Sequence, residues 1–175
     1  MKTKTFFTAL LAIVLLSAAQ CEKPDNSKLP PETQEGKNTF GCLINGELFT
    51  GFSKPVQIGL PPLTAYYYRS RKELSIYAAK YEGAIGLRVE NPKENTTATI
   101  NSAGFAPYDD ICSCFYYRKE NTGQVILSKF DTVNLIVSGR FYFDGQCSDI
   151  DFKPIGDSII YVTDGRFDIK LDIYE

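Results

Sequence analysis

Apolar and polar residues alternate with period two along much of this chain. The plainest case is "RFDIKLDIY", residues 166–174, where Phe167, Ile169, Leu171 and Ile173 fall between Asp168, Lys170 and Asp172. Successive side chains of a strand leave opposite faces, so this is the pattern of a strand buried on one side. Once the first twenty residues are set aside, apolar positions do not recur at helical spacing over eleven or more residues. Instead, short alternating runs are punctuated by turn formers. "TFGCLINGELFTG", 39–51, flanks Asn45-Gly46, which predicts a hairpin because a type I′ turn needs positive φ at both central residues. "LTAYYYRSRKELSIYAAKY", 63–81, predicts a second hairpin turning near Ser70-Arg71-Lys72. "AIGLRVE", 84–90, and "TATIN", 97–101, read as strands on either side of "NPKEN". "CSCFYYRK", 112–119, and "GQVILSKF", 123–130, flank "ENT" as a third hairpin. "TVNLIVSGRFYFDG", 132–145, is a long strand in which Gly139 marks a bulge or bend. "DSIIYVTDG", 157–165, and "RFDIKLDIYE", 166–175, are split by a second I′ signal, Asp164-Gly165. About ten short strands with frequent turn signals predict an all-β fold, an antiparallel β-sandwich, with a β-barrel as the alternative.

The first residues follow another logic. Lys2 and Lys4 precede an apolar run from Phe6 to Ala19, closed by Gln20-Cys21 and the polar "EKPDN". The run falls short of the roughly 20 apolar residues that cross a bilayer, and its order is that of an export signal. Cleavage before Cys21 resembles processing at the lipobox of bacterial lipoproteins, whose cysteine carries the acyl chains. Ala18 and Gln20 stand where that motif has Leu and a small residue, so an ordinary cleavage leaving Cys21 as a thiol is the alternative. Several acyl chains, at about 0.8 kcal/mol per buried methylene, would anchor the protein to the outer membrane. "EKPDNSKLPPETQEGK", 22–37, holds Pro24, Pro30 and Pro31 and almost nothing apolar. It reads as a flexible tether reaching on the order of 20–25 Å. The expected organisation is a signal over 1–20, a lipidated N-terminus and tether over 21–37, and one all-β domain over 38–175.

Composition narrows the chemistry. The chain has 175 residues, a formal net charge of −2 and no basic run, which argues against nucleic acid. It has no histidine, and so lacks the commonest general base and transition-metal ligand. Of its five cysteines, Cys42, Cys112, Cys114 and Cys147 remain once Cys21 is assigned to lipid. In an oxidising compartment these predict two disulfides, with three connectivities open. Cys112 and Cys114 lie two apart in a predicted strand, too far apart for an unstrained direct bond, so each is expected to pair with Cys42 or Cys147. A four-cysteine zinc site and free buried thiols are the alternatives.

"LPPETQEGKNTFGCLINGELF", "GQVILSKFDTVNLIVSGRFYF" and "VTDGRFDIKL" resemble segments of a group of uncharacterised cell-envelope lipoproteins of Bacteroidota. That resemblance covers about a third of the chain, near its two ends. It implies an envelope location and a β-rich domain, and it carries no activity, cofactor or catalytic residue. Asp131-Thr132-Val133 and Asp157-Ser158-Ile159 are similar to the O-glycosylation triplet of the same phylum, making Thr132 and Ser158 candidate acceptors.

No S-x-x-K or G-x-S-x-G supports a nucleophilic serine. Asp109-Asp110 and Asp144, Asp149 and Asp151 are the carboxylates that a glycoside hydrolase would need, but they fall in predicted turns, where Asp bonds its own backbone. "DGQCSDID", 144–151, gathers oxygens of the kind calcium takes, without EF-hand spacing. The aromatic triplets Tyr66–Tyr68, Phe115–Tyr117 and Phe141–Phe143 are the stronger feature. In one register Tyr67, Tyr116 and Tyr142 point outward and form a platform for a sugar; the alternative is ordinary strand packing. The expectation is a lipid-anchored binding protein without catalytic residues, metal or cofactor. Its partner is an envelope protein or, alternatively, a glycan or small ligand; a carboxylate hydrolase comes last.

Overall fold

The computed structural model describes residues 27–50, 61–98, 100–108, 115–120, 122–149 and 151–175. The described residues form strands and turns only. The strands are β1 (Thr39–Ile44), β2 (Glu47–Thr50), β3 (Leu63–Tyr68), β4 (Glu73–Lys80), β5 (Gly83–Glu90) and β6 (Thr96–Ala98). They continue with β7 (Ile100–Pro107), β8 (Phe115–Arg118), β9 (Gln124–Asp131), β10 (Ile136–Ser148), β11 (Pro154–Lys170) and β12 (Asp172–Tyr174). All belong to one open sheet, ordered β12-β3-β4-β5-β7-β8-β10-β11-β1-β2, with β9 beside β10 and β6 beside β9. Every pairing is antiparallel except β12 with β3. The sheet does not close into a barrel.

Its two halves face each other as a sandwich does. Phe49 of β2 meets Phe105 of β7 edge-on at 6.0 Å, and Tyr67 of β3 meets Phe130 of β9 at 5.0 Å. Lys80 of β4 holds its ammonium 5.0 Å from the centre of the Phe49 ring. Between the halves lies one core, to which Leu74, Ile76, Ile85, Leu87 and Val89 come from one layer and Val137, Phe143, Val162, Phe167 and Ile169 from the other.

The two best turn signals are realised differently. Asn45 and Gly46 take φ of 51° and 84°, and Ile44 pairs Glu47, as a I′ hairpin requires. The turn after β3 also lies where it was expected, with Lys72 at φ 49°. Asp164-Gly165, expected as a turn, is instead a bulge inside the continuous strand β11. Phe141 pairs Gly165 and Phe143 pairs Val162, so two residues of β11 oppose Tyr142 alone. Asp164 has φ 53°, and a Cβ on Gly165 would lie 2.5 Å from the Phe141 ring. A tight turn and a bulge make the same local demand, and here the long β10 ladder decides between them.

Three more expectations change. β8 and β9 do not form a hairpin; both pair with β10, end to end. The link between them is held to β10, since Lys119 N–H donates to the Asp144 carbonyl at 2.7 Å. Residues 132–135 are a turn rather than the start of a strand, because the Asp131 carboxylate accepts from Val133 N–H (3.0 Å) and Asn134 N–H (2.8 Å). The bulge expected at Gly139 is present at its level, on the facing strand β9. Finally, the last alternating run breaks at Leu171. That residue is buried and donates to the Leu135 carbonyl at 2.9 Å, and β12 crosses to lie parallel to β3.

The tether expected over 22–37 is docked where it can be described. Residues 30–38 form a strap over the outer face of β1, β10 and β11. Asp168, only 1% exposed, is the centre of the contact. Its Oδ1 accepts from Ser138 Oγ–H (2.7 Å) and Gly36 N–H (2.8 Å). Its Oδ2 accepts from Thr33 Oγ1–H, Glu35 N–H (3.1 Å) and Lys37 N–H (3.2 Å). Glu32 bridges Arg140 (2.8 Å) and Arg166 (3.5 Å), a like-charged pair directly opposed across β10 and β11. Pro30 packs on Gly41, where a Cβ would lie 2.6 Å from it. Proline and charge made this segment look solvated, but the sheet supplies a buried anion and a cation pair that need such partners.

Burial acts to raise the Asp168 pKa, but the donors from Thr33, Ser138, Gly36 and Lys37 together outweigh it and hold the carboxyl below its ordinary value. The contribution to stability is therefore complete above the unfolded pKa of about 3.9 and is lost as pH falls through the lower folded value. Asp168→Ala should cost about 2–4 kcal/mol in urea melts at pH 7 and open residues 33–37 to proteolysis. A change under about 0.5 kcal/mol, the range of a surface substitution, would show that the strap does not contribute to folding.

Candidate functional site

Alternation in β3, β4, β5, β7, β8 and β12 decides which side chains this layer presents outward. Leu74, Ile76 and Ala78 of β4 point to the core, so Glu73, Ser75 and Tyr77 point out. By the same parity Gly86, Arg88 and Glu90 leave β5 outward, and Ser102, Gly104 and Ala106 leave β7 outward. Tyr117 leaves β8 outward, paired with Gly104. The register lines these up in one cross-strand row: Thr64, Tyr77, Gly86, Gly104, Tyr117.

This row is a trough. Two adjacent strands contribute no side chain, and Tyr77 and Tyr117 stand at its ends, about 14 Å apart across three strand spacings. A Cβ on Gly86 would meet nothing within 4 Å, so the backbone there is open to a ligand. Gly104 is covered differently: a Cβ there would lie 2.9 Å from the Tyr116 carbonyl and 3.5 Å from the Tyr117 ring. One long side of the trough is the polar row Ser75–Arg88–Ser102; on the other side lies the small apolar row Ala79–Ala84–Ala106, of which Ala79 and Ala84 are buried.

The aromatic ends are braced. Tyr77 and Tyr108 share a hydroxyl–hydroxyl bond of 3.0 Å. Burial, then the bond to Tyr77, push the Tyr108 pKa well above the ordinary phenol value, so its hydroxyl stays protonated. Tyr117 packs against Phe152 at 4.3 Å and Phe115 at 6.4 Å. On the β12 side, Tyr174 lies edge-on to Tyr66 at 5.3 Å and stacks on Tyr68 at 5.4 Å, with the Arg71 guanidinium 4.2 Å above Tyr68. Phe152 and Tyr174 are exposed. Fixed rings on a flat sheet present their faces with little rotamer freedom to lose.

The expected platform of Tyr67, Tyr116 and Tyr142 is not assembled. Tyr67 and Tyr116 pack inward against the core, and the Tyr116 hydroxyl sits 3.3 Å from Ser158 Oγ. Tyr142 is 46% exposed, but on β10 of the other layer. The triplets do place aromatics on both faces, in the register opposite to the one expected at β3 and β8. Tyr77, Gly86 and Gly104 were missed, although an isolated glycine in a strand marks a close backbone approach.

The remaining candidates separate clearly. Asp149 Oδ1 accepts from Asp151 N–H and Lys153 N–H, each at 2.9 Å, so it builds its own turn. Asp144 lies within β10. Among the described residues no group of three or more His, Cys, Asp or Glu could hold a metal ion. Asp109, Asp110, Cys21, Cys112 and Cys114 lie outside the described residues. Thr132 is half-buried in the β9–β10 turn, and Ser158 is exposed on β11. A pocket of about 220 Å³ lies under the strap, but its arginines are already held by Glu32.

Cys42, expected in a disulfide, is a free thiol buried opposite the β11 bulge. Cys147 is disulfide-bonded. Burial pushes the Cys42 pKa up to about 12 against the weaker opposing charge of Lys80. Cys42, located by peptide mass spectrometry, should therefore resist iodoacetamide at pH 8 in the folded protein and react fully in 6 M guanidinium; rapid native labelling would contradict its burial. No protein-family model, curated protein or solved structure matches this chain.

Proposed function

We propose that this chain is an exported lipoprotein of the cell envelope, anchored through Cys21, whose domain binds glycan without turning it over. The leader and the cysteine that follows it support the anchored part. The binding part rests on one observation, the glycine trough ended by Tyr77 and Tyr117. The C–H face of a pyranose is weakly positive and the face of an aromatic ring is negative, so the two stack. The bare backbone at Gly86 lets a flat sugar lie close, beside the Tyr117 ring that flanks Gly104. Among the described residues no carboxylate stands in the trough's own row; the cross-strand pair Glu73–Glu90 lies beyond the Ser75–Arg88 row, with Glu73 held to Arg71, so the two carboxylates that hydrolysis requires do not flank the trough's floor.

A protein partner is the second reading. Ile159 and Ile160 of β11 pair with β10, residues 155–158 fall in the register shift opposite Cys147, and no described strand pairs with the other edge of 155–160, where Ile155 is exposed. Such an edge accepts an added strand.

Thermal melts of a soluble version beginning at Glu22, against a panel of glycans, separate the two. A glycan at about a hundred times its dissociation constant should add about 2.7 kcal/mol. Tyr77→Ala and Gly86→Val should each remove that gain. Gly86→Val should leave the unliganded melt unchanged, because its Cβ meets no neighbour. No shift with any glycan would overturn the binding reading and favour the open edge, to be tested by cross-linking in intact cells.

A further inference from the structure

Arg88 is the one arginine without a partner among the described residues. Each of the other five arginines has a partner: Glu175 for Arg69, Glu73 and the Tyr68 ring for Arg71, two carbonyls for Arg118, and Glu32 for both Arg140 and Arg166. Arg88 is exposed and has no ion pair or hydrogen bond to any described residue. It stands two residues from Gly86 on the same face of β5, at the centre of the trough's polar side. Its cross-strand neighbours are two hydroxyls, Ser75 on β4 and Ser102 on β7.

We infer that the trough takes an acidic oligosaccharide, lying across the strands between Tyr77 and Tyr117 with an anionic substituent on Arg88. The inference rests on the glycan-binding reading. A guanidinium presents paired N–H donors that match a carboxylate or sulfate, and serine hydroxyls on both sides supply further donors. The span of about 14 Å between the terminal tyrosines exceeds one sugar ring, which selects a short chain over a monosaccharide. The acidic groups facing Arg88 do not occupy it. Glu90 lies two residues along β5, Glu73 pairs with Arg71, and Asp172 lies at the far end of Arg88's row on β12.

Calorimetric titration of the soluble version beginning at Glu22 distinguishes the possibilities. The probes are a tri-galacturonide, its methyl ester, a sulfated trisaccharide and a neutral cello-trisaccharide. The acidic trimer should bind at least tenfold more tightly than its ester, and the preference should fade with added salt. Whichever of the carboxylate and sulfate probes binds more tightly identifies the anion. Arg88→Gln should erase the difference between acid and ester while leaving the melt unchanged. Tyr77→Ala should weaken all four sugars. Equal binding of acid, ester and neutral trimer, unaffected by Arg88→Gln, would overturn this inference and leave glycan binding standing. Binding of no sugar would overturn both.

Discussion

The unbroken antiparallel register across β4, β5 and β7, from the Ala78–Ile85–Phe105 row to the Ser75–Arg88–Ser102 row, is the constraint on which the site depends. Side chains alternate with period two, so a slip of one residue at any of these ladders would turn Gly86 or Gly104 to the core. The inner face prevents that slip: Ile76, Leu87 and Ala103 share one buried row, and moving them into water would cost several kcal/mol. The core thus specifies the outer face indirectly. Tyr77 and Tyr117 end one row because Ile76 and Tyr116 pack beneath the same strands.

Two outer faces follow from two layers, and they are used differently. One is covered by the strap, whose polar residues satisfy a buried carboxylate and a cross-strand arginine pair. The other carries the open trough. Strap and trough therefore lie on opposite sides of the molecule. The distribution of charge agrees with that division. Glu32 and Asp168 engage what faces them, while Arg88 has no partner among the described residues.

Much of the fold was legible because period-two alternation is a local signal. The hairpins at Asn45-Gly46 and before Lys72, the strands of the middle segment and the all-β class all follow from it. What was not legible depended on distant partners. Asp164-Gly165 became a bulge because β10 pairs along nearly all of β11. The 30–38 segment docked because Asp168, Arg140 and Arg166 meet it from more than a hundred residues away. The aromatic triplets named the right kind of surface but not its register, since in "AYYYR" and "CFYYR" either parity buries one ring and exposes another. Gly86 and Gly104 were visible as interruptions, and their meaning depended on being neighbours across a ladder.

On the proposed reading, ligand meets the described part of this protein at the trough. Amide chemical-shift mapping by NMR, with the acidic trisaccharide titrated into the soluble domain, tests it directly. The largest shifts are expected at Gly86, Gly104 and the amides of residues 87–89 and 116–118, with the strap amides of Glu35, Gly36 and Lys37 unmoved. Shifts centred on the strap or on residues 155–160, with Gly86 and Gly104 silent, would contradict it.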